Sequence, residues 1–475
     1  MPQNPPRAED RPLRPNVVGF WGLISQSIAG MAPSCDVVAF MTAGAAFALV
    51  AMPLSYLAAF LLMFIEVNTI YHLTKHRASA GGYYSFVASG LGAPAALITG
   101  FMVACYQILS IAGIPIYVGG VFLPGLLAPL GWDVPAYFWT GAVVFFIGIP
   151  WLLGMLGIGP SIRVVALTSL LEIAFLILSS LWIIHKAAPS HPWQPFSLGT
   201  VGFKGVAMGM IFAITSFIGI GSHTPLGEEA RGVRTQDGRI LGKAALVSLT
   251  LVGLALTLSA YALTVGWGVN AMADFAKSGA PGVVVFHRYL GTWGAVALVV
   301  LAVNSAMADG LALMNSSARV LFAIGRDNLI HQHFAHVNGQ KAPAAATAFI
   351  GGTAILLALA GGAIWGPANA FNVMTTAVLF GLVTAHTFMN VALMRLPCSA
   401  GERLLTRRFF HFLLPAIATV LFWWVLYESI FPMTSPLAYA PLLWLLVLAP
   451  GALYALRKNR GLDPQRSHRL GIPPG

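Results

Sequence analysis

The sequence predicts an all-α integral membrane protein with twelve transmembrane helices, ten of which form two inverted repeats of five. Three observations support this fold class: an apolar composition, a series of long hydrophobic segments, and matching interruptions in two of those segments. Of the 475 residues, 57% are hydrophobic and only 9% are charged, whereas a soluble domain carries about 25% charged residues. This composition excludes a large soluble domain.

Twelve segments are apolar over the roughly 20 residues that a helix needs to cross a bilayer. They lie at approximately 17–47, 53–73, 95–122, 136–157, 163–186, 204–230, 240–266, 291–323, 344–364, 370–394, 411–430 and 437–456. The series predicts an N-terminal tail at 1–16, a ten-helix core at 17–400, accessory helices at 401–456 and a C-terminal tail at 457–475. The first tail is polar and rich in Pro and Arg, which predicts no signal peptide.

With the N-terminus placed in the cytoplasm, Lys and Arg are distributed very unevenly between the two sides of the predicted membrane. The cytoplasmic side receives 22 of the 26 residues, and the other side receives Lys186, Lys204, Lys277 and Arg288. The positive-inside rule describes this asymmetry. We therefore expect a multi-pass protein of the cell membrane with both termini in the cytoplasm. The net charge of +11 then reflects topology and does not indicate nucleic-acid binding.

The first segment is interrupted near its middle by residues 27–33, SIAGMAP. Gly30 permits unusual backbone angles, and Pro33 removes an N–H group and clashes with the preceding turn. We therefore expect a helix that stops and restarts inside the bilayer. Irregular backbone is tolerated at that depth only where it is buried in protein or lines a cavity. Its amide and carbonyl groups are then available to hold a ligand.

The sixth segment carries a matching interruption at residues 217–225, FIGIGSHTP. The two interruptions are five helices apart, and this odd separation places them in opposite orientations across the membrane. Interrupted helices at corresponding positions of two repeats are typical of proteins that bind a ligand at the repeat interface. The alternative interpretation is a pair of unrelated proline kinks.

Three further motifs resemble those of the amino acid–polyamine–organocation superfamily of permeases. They are ASAGGYYSFV at 78–87 followed by GLG at 90–92, PLGEEAR at 225–231, and SARVLFAIGRD at 317–327. The resemblance implies a LeuT-like transporter fold with alternating access, and secondary active transport of amino acids by proton-coupled symport or exchange. Members often carry a Glu shortly after the first Gly of the sixth break. Here that position is Gly221, so no role for such a carboxylate is expected.

An amino-acid substrate presents a carboxylate and an ammonium group, and the two breaks offer partners for both. Amides at a helix N-terminus attract a carboxylate, and unwound carbonyls attract an ammonium. The predicted substrate-binding residues of the breaks are Ser27, Ile28, Ala29, Gly30, Met31, Phe217, Ile218, Gly219, Ile220 and Gly221. Phe217 is also the candidate for a gate ring over the substrate, with a simple packing role as the alternative.

Carboxylates inside membrane segments are costly and usually functional. Glu172 lies near the middle of helix five, where the resemblance places the Lys that fills a sodium position in some relatives. We expect it to carry a proton as the coupling residue or to pair with a cation, or else to hydrogen-bond between helices in its protonated form. Glu66 is assigned to an inner gate or to helix packing.

Asp36 and Asp309 are the remaining deep carboxylates, and both are predicted to bind substrate. Two acids at one site favour a cationic substrate, such as a basic amino acid or a polyamine. The alternative is that Asp36 caps the restarted helix and that Asp309 bonds to a neighbouring helix.

Charged residues cluster just beyond helix six. Glu228, Glu229, Arg231 and Arg234 are predicted to form salt bridges with Arg77, Arg319 or Arg326, or to form a solvated charge cluster. His223, inside the sixth break, is assigned to packing.

No cofactor, metal site or enzymatic motif is predicted. The group His331, His333 and His336 has metal-like spacing but no acidic or Cys partner nearby, so a solvated loop is favoured. Cys35, Cys105 and Cys398 are far apart and predict no disulfide. A non-transporting amino acid sensor is the competing class of function. The sequence does not distinguish a proton from sodium as the coupling ion, and it does not indicate the oligomeric state.

Overall fold

The computed structural model describes residues 13–199, 201–233, 238–397, 404–431, 435–459 and 467–472. Within these ranges the chain is helical, with short turns and one isolated β-bridge between Val18 and Ala230. The predicted terminal tails are described only in part, and Cys398 and Arg234 lie outside the described residues.

Eighteen α-helices are found in the described ranges. They are α1 (Phe20–Ala29), α2 (Pro33–Cys35), α3 (Met41–Ala48), α4 (Met52–His76), α5 (Tyr83–Leu91), α6 (Ala93–Tyr117), α7 (Leu123–Leu127), α8 (Phe138–Met155), α9 (Ile158–Ala187), α10 (Gly202–Thr215), α11 (Arg239–Trp267), α12 (Met272–Lys277), α13 (Pro281–Arg326), α14 (Ala344–Trp365), α15 (Pro367–Arg395), α16 (Leu404–Arg407), α17 (Leu414–Ile430) and α18 (Ala440–Asn459).

Eleven helical stretches among the described residues are long and apolar enough to cross a membrane. The first of them, Phe20–His76, covers the predicted segments 17–47 and 53–73, because only the short 3₁₀ turn Leu49–Ala51 separates α3 from α4. Each of the other ten overlaps one predicted segment. The prediction of an all-helical multi-pass membrane protein is therefore confirmed.

The eighth predicted segment, 291–323, matches the second of the two helical parts that α13 joins across a kink. Helix α13 starts at Pro281, and its only non-helical residue is Gly291, at φ 71°. The part before this glycine contains His287 and Arg288, which interrupt the apolar run. The prediction therefore found only the part of α13 that follows the kink.

The outer surface of the bundle carries large apolar side chains. Leu152, Leu178 and Trp293 are 70%, 68% and 84% exposed. Apolar groups on this scale avoid water, and a bilayer gives them a favourable environment. Polar groups such as Gln26, Glu66 and Asn315 lie instead in the interior.

The interrupted helices lie in the middle of the bundle. Helix α1 packs against α9 and α11, whereas α10 packs against α3 and α4. Helix α13 packs against α6, α8 and α9. Five stretches of the chain meet at one end of the bundle, which is called the terminal face below. They are residues 13–18, 77–92, 224–231, 319–327 and 467–472.

Candidate functional site

The first interruption is confirmed. Helix α1 ends at Ala29, and the chain restarts as helix at Pro33. Ala32 lies between them in the left-handed region, at φ 41°, a conformation that is uncommon for residues other than Gly. Proline suits the first turn of a helix because its missing N–H would have no helical partner there. The restarted part continues as a π-helix, Asp36–Phe40, and then as α3.

The sixth interruption is also confirmed, and it is longer than predicted. Helix α10 ends at Thr215, and the chain then forms two 3₁₀ turns, Ile218–Gly221 and Thr224–Leu226. No α-helix follows α10 until Arg239, within the described residues. The backbone from 216 to 226 is therefore irregular and buried.

The two breaks contact each other directly. The Ser27 hydroxyl donates to the carbonyl oxygens of Gly219 and Ile220, at 3.1 and 3.2 Å. In return, the Ser222 hydroxyl donates to the Gln26 carbonyl at 3.1 Å. The sequence therefore correctly paired these two stretches.

Gly30 and Gly219 make this contact possible. A Cβ atom on Gly219 would lie 2.2 Å from the carbonyl carbon of Gly30 and 2.6 Å from the amide nitrogen of Met31. Both are backbone atoms and cannot rotate away. Only glycine fits at position 219.

The amides of the first break already have partners in this conformation. Gly30, Met31 and Ala32 donate to the carbonyls of Gln26, Ile28 and Ala29, at 3.0–3.2 Å. The Ser34 amide, at the start of the restarted helix, donates to the carboxylate of Glu172 at 2.6 Å. Protein groups thus occupy several of the positions that were predicted to hold substrate.

Two aromatic side chains line the sixth break. Phe217 is fully buried and stacks on Phe60, with 6.4 Å between ring centroids. Tyr83 approaches so closely that a Cβ on Gly221 would lie 1.8 Å from its hydroxyl oxygen. That hydroxyl is buried and has no hydrogen-bond partner among the described residues. Position 221 therefore lacks a side chain because Tyr83 occupies the space.

Three carboxylates are buried around the restarted part of the first helix. Asp36, Glu172 and Asp309 are each 1% exposed. Each of them is close enough to the Cys35 thiol to interact with it electrostatically. Neither Asp36 nor Asp309 forms a hydrogen bond of standard geometry with any described group, although the Ser216 hydroxyl lies near Asp36.

Both alternative roles for the aspartates are therefore wrong. Asp36 does not cap the restarted helix, because that helix begins at Pro33 and the Asp36 side chain comes too late in it. Asp309 does not bond to a neighbouring helix among the described residues.

Two serine hydroxyls accompany this acidic group. Ser34 and Ser305 are buried, lie beside Glu172, and lack a hydrogen-bond partner of standard geometry in the described part of the chain. The described residues contain no group of three His, Cys, Asp or Glu with the spacing for a metal ion.

The predicted salt bridges beyond the sixth break are confirmed for both glutamates. Arg319 forms a bidentate pair with Glu229, and both side chains are at most 1% exposed. Arg326 forms a bidentate pair with Glu228, at 2.8 and 3.0 Å. Burial raises the pKa of Glu229, although the Arg319 guanidinium opposes that rise.

Arg77 was wrongly included among the partners of these glutamates. It donates instead to backbone carbonyls, including those of His468 and Leu470. Arg231 donates to the carbonyl of Asn16.

Glu66 and His223 are both buried and contact neighbouring elements. Glu66 contacts His386 Nδ1 at 2.7 Å and accepts a hydrogen bond from Asn390 at 2.9 Å, which ties α4 to α15. His223 Nε2 contacts the Leu241 carbonyl at 2.8 Å.

Three residues of the site were not predicted from the sequence. The Ser248 hydroxyl donates to Ser27 at 2.9 Å, Gln26 donates to the Ala312 carbonyl at 2.8 Å, and Tyr83 covers Gly221. Ser248 and Gln26 are polar residues within apolar helices, and this signal could have found them. Nothing in the sequence indicates that Tyr83 contacts the sixth break.

Known proteins that resemble this chain agree with the resemblance that its motifs indicate. Residues 22–447 match the profile of the amino acid permease family. The chain is also 25% identical, over 332 residues, to the branched-chain amino acid permease BcaP of Bacillus subtilis (strain 168). That alignment covers 66% of this chain and 66% of the relative, which is slightly less than two thirds of each.

Proposed function

Because the chain belongs to the amino acid permease family, we propose that it moves amino acids across the membrane by alternating access around its two broken helices. Family membership favours a transporter over an enzyme. The observation that carries the proposal is the direct, buried contact between the two breaks through Ser27, Gly219 and Ser222. Discontinuous helices that meet inside a bundle are typical of secondary transporters.

The proposed topology has twelve spans. It divides the first helical stretch at the turn Leu49–Ala51, so that α1–α3 and α4 each cross the membrane once. Ten spans then form the five-plus-five inverted repeat, and α17 and α18 lie in the two accessory spans. The terminal face, rich in Arg, lies in the cytoplasm, in agreement with the positive-inside rule.

The proposed substrate exchanges partners with the breaks. Its carboxylate takes the place of protein groups near Gly30 and Met31, and its ammonium takes the carbonyls of Gly219 and Ile220 from the Ser27 hydroxyl. Because both sets of groups are buried, an unmade hydrogen bond there would cost about 1–3 kcal/mol. The charged ends of the bound substrate would satisfy these amide and carbonyl groups when the two breaks separate.

Glu172 is the proposed coupling residue. Its hydrogen bond to the Ser34 amide joins α9 to the restarted part of the first helix. A proton on the carboxyl group removes the charge that this amide stabilises. Proton binding at Glu172 is thereby linked to movement of the first helix.

Uptake of radiolabelled leucine into proteoliposomes tests both parts of the proposal. We expect uptake that increases with an inward proton gradient, and we expect Glu172→Gln to remove that pH dependence while keeping exchange across equal pH. Binding of amino acids without uptake would instead identify a sensor. Wild-type pH dependence in Glu172→Gln would exclude coupling through this residue.

One observation favours a second candidate, the transport of cationic amino acids or polyamines. Asp36, Glu172 and Asp309 are buried together, and the charged groups that act on Asp36 are the other two acids. Uncompensated buried charge costs several kcal/mol per ion, so protons or a cation must neutralise the group. Three buried carboxylates, with the Ser34 and Ser305 hydroxyls beside Glu172, suit an organic cation with two amines.

Competition of leucine uptake by putrescine or arginine tests this candidate. We expect both amines to inhibit, and we expect Asp309→Asn to weaken their inhibition by roughly 10–100-fold, since a hydrogen bond to a charged group contributes about 1.5–3 kcal/mol. Inhibition by neutral isoleucine serves as the control and should change much less. Absence of competition by either amine in the wild type would count against a cationic substrate.

A further inference from the structure

Residues 467–472, which follow α18 in the chain, contact the rest of the terminal face. Ser467 and Leu470 are buried. The Ser467 hydroxyl accepts a hydrogen bond from the Ala93 amide at 2.7 Å, and His468 Nδ1 contacts the Ala88 carbonyl at 3.2 Å. These contacts fix the segment to α5 and to the start of α6.

The same segment reaches two other elements. The Arg77 guanidinium, at the end of α4, donates to the carbonyls of His468 and Leu470, the latter at 3.0 Å. At the exit of α13, the Gly471 amide donates to Asp327 at 2.6 Å, and the Gly471 carbonyl accepts from Arg326 at 3.1 Å. The segment therefore joins α4, α5 and α13.

Arg326 links this contact to the sixth break. Its Nη2 atom donates both to Glu228 at 2.8 Å and to the Gly471 carbonyl at 3.1 Å. Glu228 in turn accepts from the Ala80 amide at 2.9 Å. The C-terminal segment thus helps to position Arg326 for its ion pair with Glu228. This ion pair joins α13 to the end of the sixth break.

We propose that residues 467–472 act as a strap that stabilises the closed state of the terminal face. Opening of this face requires residues 224–231 to separate from the turn that precedes α5 and from the exit of α13, because Glu228 contacts the Ala80 amide and Arg326 there. Release of the strap frees Arg326 and Arg77 and makes that separation easier. The strap thus sets how often the site opens on this side, a regulation that rests on the alternating access proposed above.

The charge of Arg77 is retained under ordinary conditions. Burial lowers the pKa of its guanidinium to about 10, so the group remains protonated at neutral pH. A charged donor strengthens hydrogen bonds to carbonyl oxygens.

Gly471 offers a substitution that removes the strap without changing the helices. Its φ is 81°, and a Cβ there would lie 2.6 Å from the Ser85 Cβ. Gly471→Val should therefore displace the segment. Ile472→Ala is the matched control, because Ile472 is 45% exposed and its side chain is not required for the contacts described.

Hydrogen–deuterium exchange of the purified full-length protein in nanodiscs tests the strap. We expect Gly471→Val to raise the exchange of peptides covering 83–92 and 222–231 by about tenfold, which corresponds to the loss of one or two net hydrogen bonds. Peptides from α14 should not change, and Ile472→Ala should match the wild type.

A deletion of residues 467–475 provides the second variant, since it removes the segment outright. The same increase in exchange is expected. Wild-type exchange of the 222–231 peptide in this deletion would overturn the proposal. Because the measurement does not depend on uptake, its outcome is independent of whether the chain transports amino acids.

Discussion

Arg319→Gln is expected to lower the free energy of unfolding by about 3–5 kcal/mol, because it leaves the carboxylate of Glu229 buried without its partner. The two side chains are at most 1% exposed and form a bidentate pair. Arg319 is also among the largest fully buried side chains of the described residues. Denaturation in mixed micelles, followed by tryptophan fluorescence, measures the change.

The loss of stability should also depend on pH. Burial raises the pKa of Glu229, and Arg319 opposes that rise, so the substitution lets the pKa of Glu229 rise further. The folded state then binds more protons than the unfolded state above about pH 4.3, the ordinary value for Glu. Stability of the variant therefore falls as pH rises, by up to about 1.4 kcal/mol per pH unit, until the folded pKa is passed. We expect a smaller deficit at pH 5 than at pH 8.

Two variants serve as controls for this prediction. Arg326→Gln breaks a pair whose side chains are 17% and 14% exposed, so its effect should be smaller, closer to the 0–1 kcal/mol of an exposed pair. The double variant Glu229→Gln, Arg319→Gln removes both charges and should recover part of the stability. Equal stability of Arg319→Gln and Arg326→Gln would contradict the assignment of a buried pair.

Much of the fold could be predicted because its signals are local in sequence. A run of about 20 apolar residues is enough to indicate a span, and the breaks were visible because Gly30, Pro33, Gly219 and Pro225 lie in mid-segment. The family resemblance, which rested on three short motifs, is confirmed by the match over residues 22–447. The part of α13 before Gly291 was left out of the eighth predicted segment because His287 and Arg288 interrupt the apolar run there.

The site was predicted less completely because its contacts join residues far apart in the chain. The topology was enough to predict that the two breaks lie together. The charges of the glutamates beyond the sixth break were enough to predict that they pair with arginines. The contact of Tyr83 with Gly221 and the docking of Gly471 on Asp327 depend on the final packing. No local pattern indicates such contacts. The substrate roles of Phe217, Asp36 and Asp309 stay predictions.

Gly219→Ala is expected to abolish most transport while leaving the protein folded. The added Cβ would lie 2.2 Å from the Gly30 carbonyl carbon and 2.4 Å from its oxygen, so the two breaks must move apart. Overpacking of this kind costs about 1–3 kcal/mol, and a displacement of about 1 Å at a positioned site can lower a rate roughly 100-fold. Leucine uptake into proteoliposomes should therefore fall roughly 100-fold.

The matched control for this substitution is Gly352→Ala. Gly352 lies within α14, and a Cβ there would meet no atom within 4 Å, so alanine should add up to about 1 kcal/mol of helix stability. Its uptake should equal that of the wild type. Wild-type uptake by Gly219→Ala would show that transport does not require the two breaks to touch. Because Gly219 packs directly against Gly30, this comparison tests the contact between the breaks on which the proposed function depends.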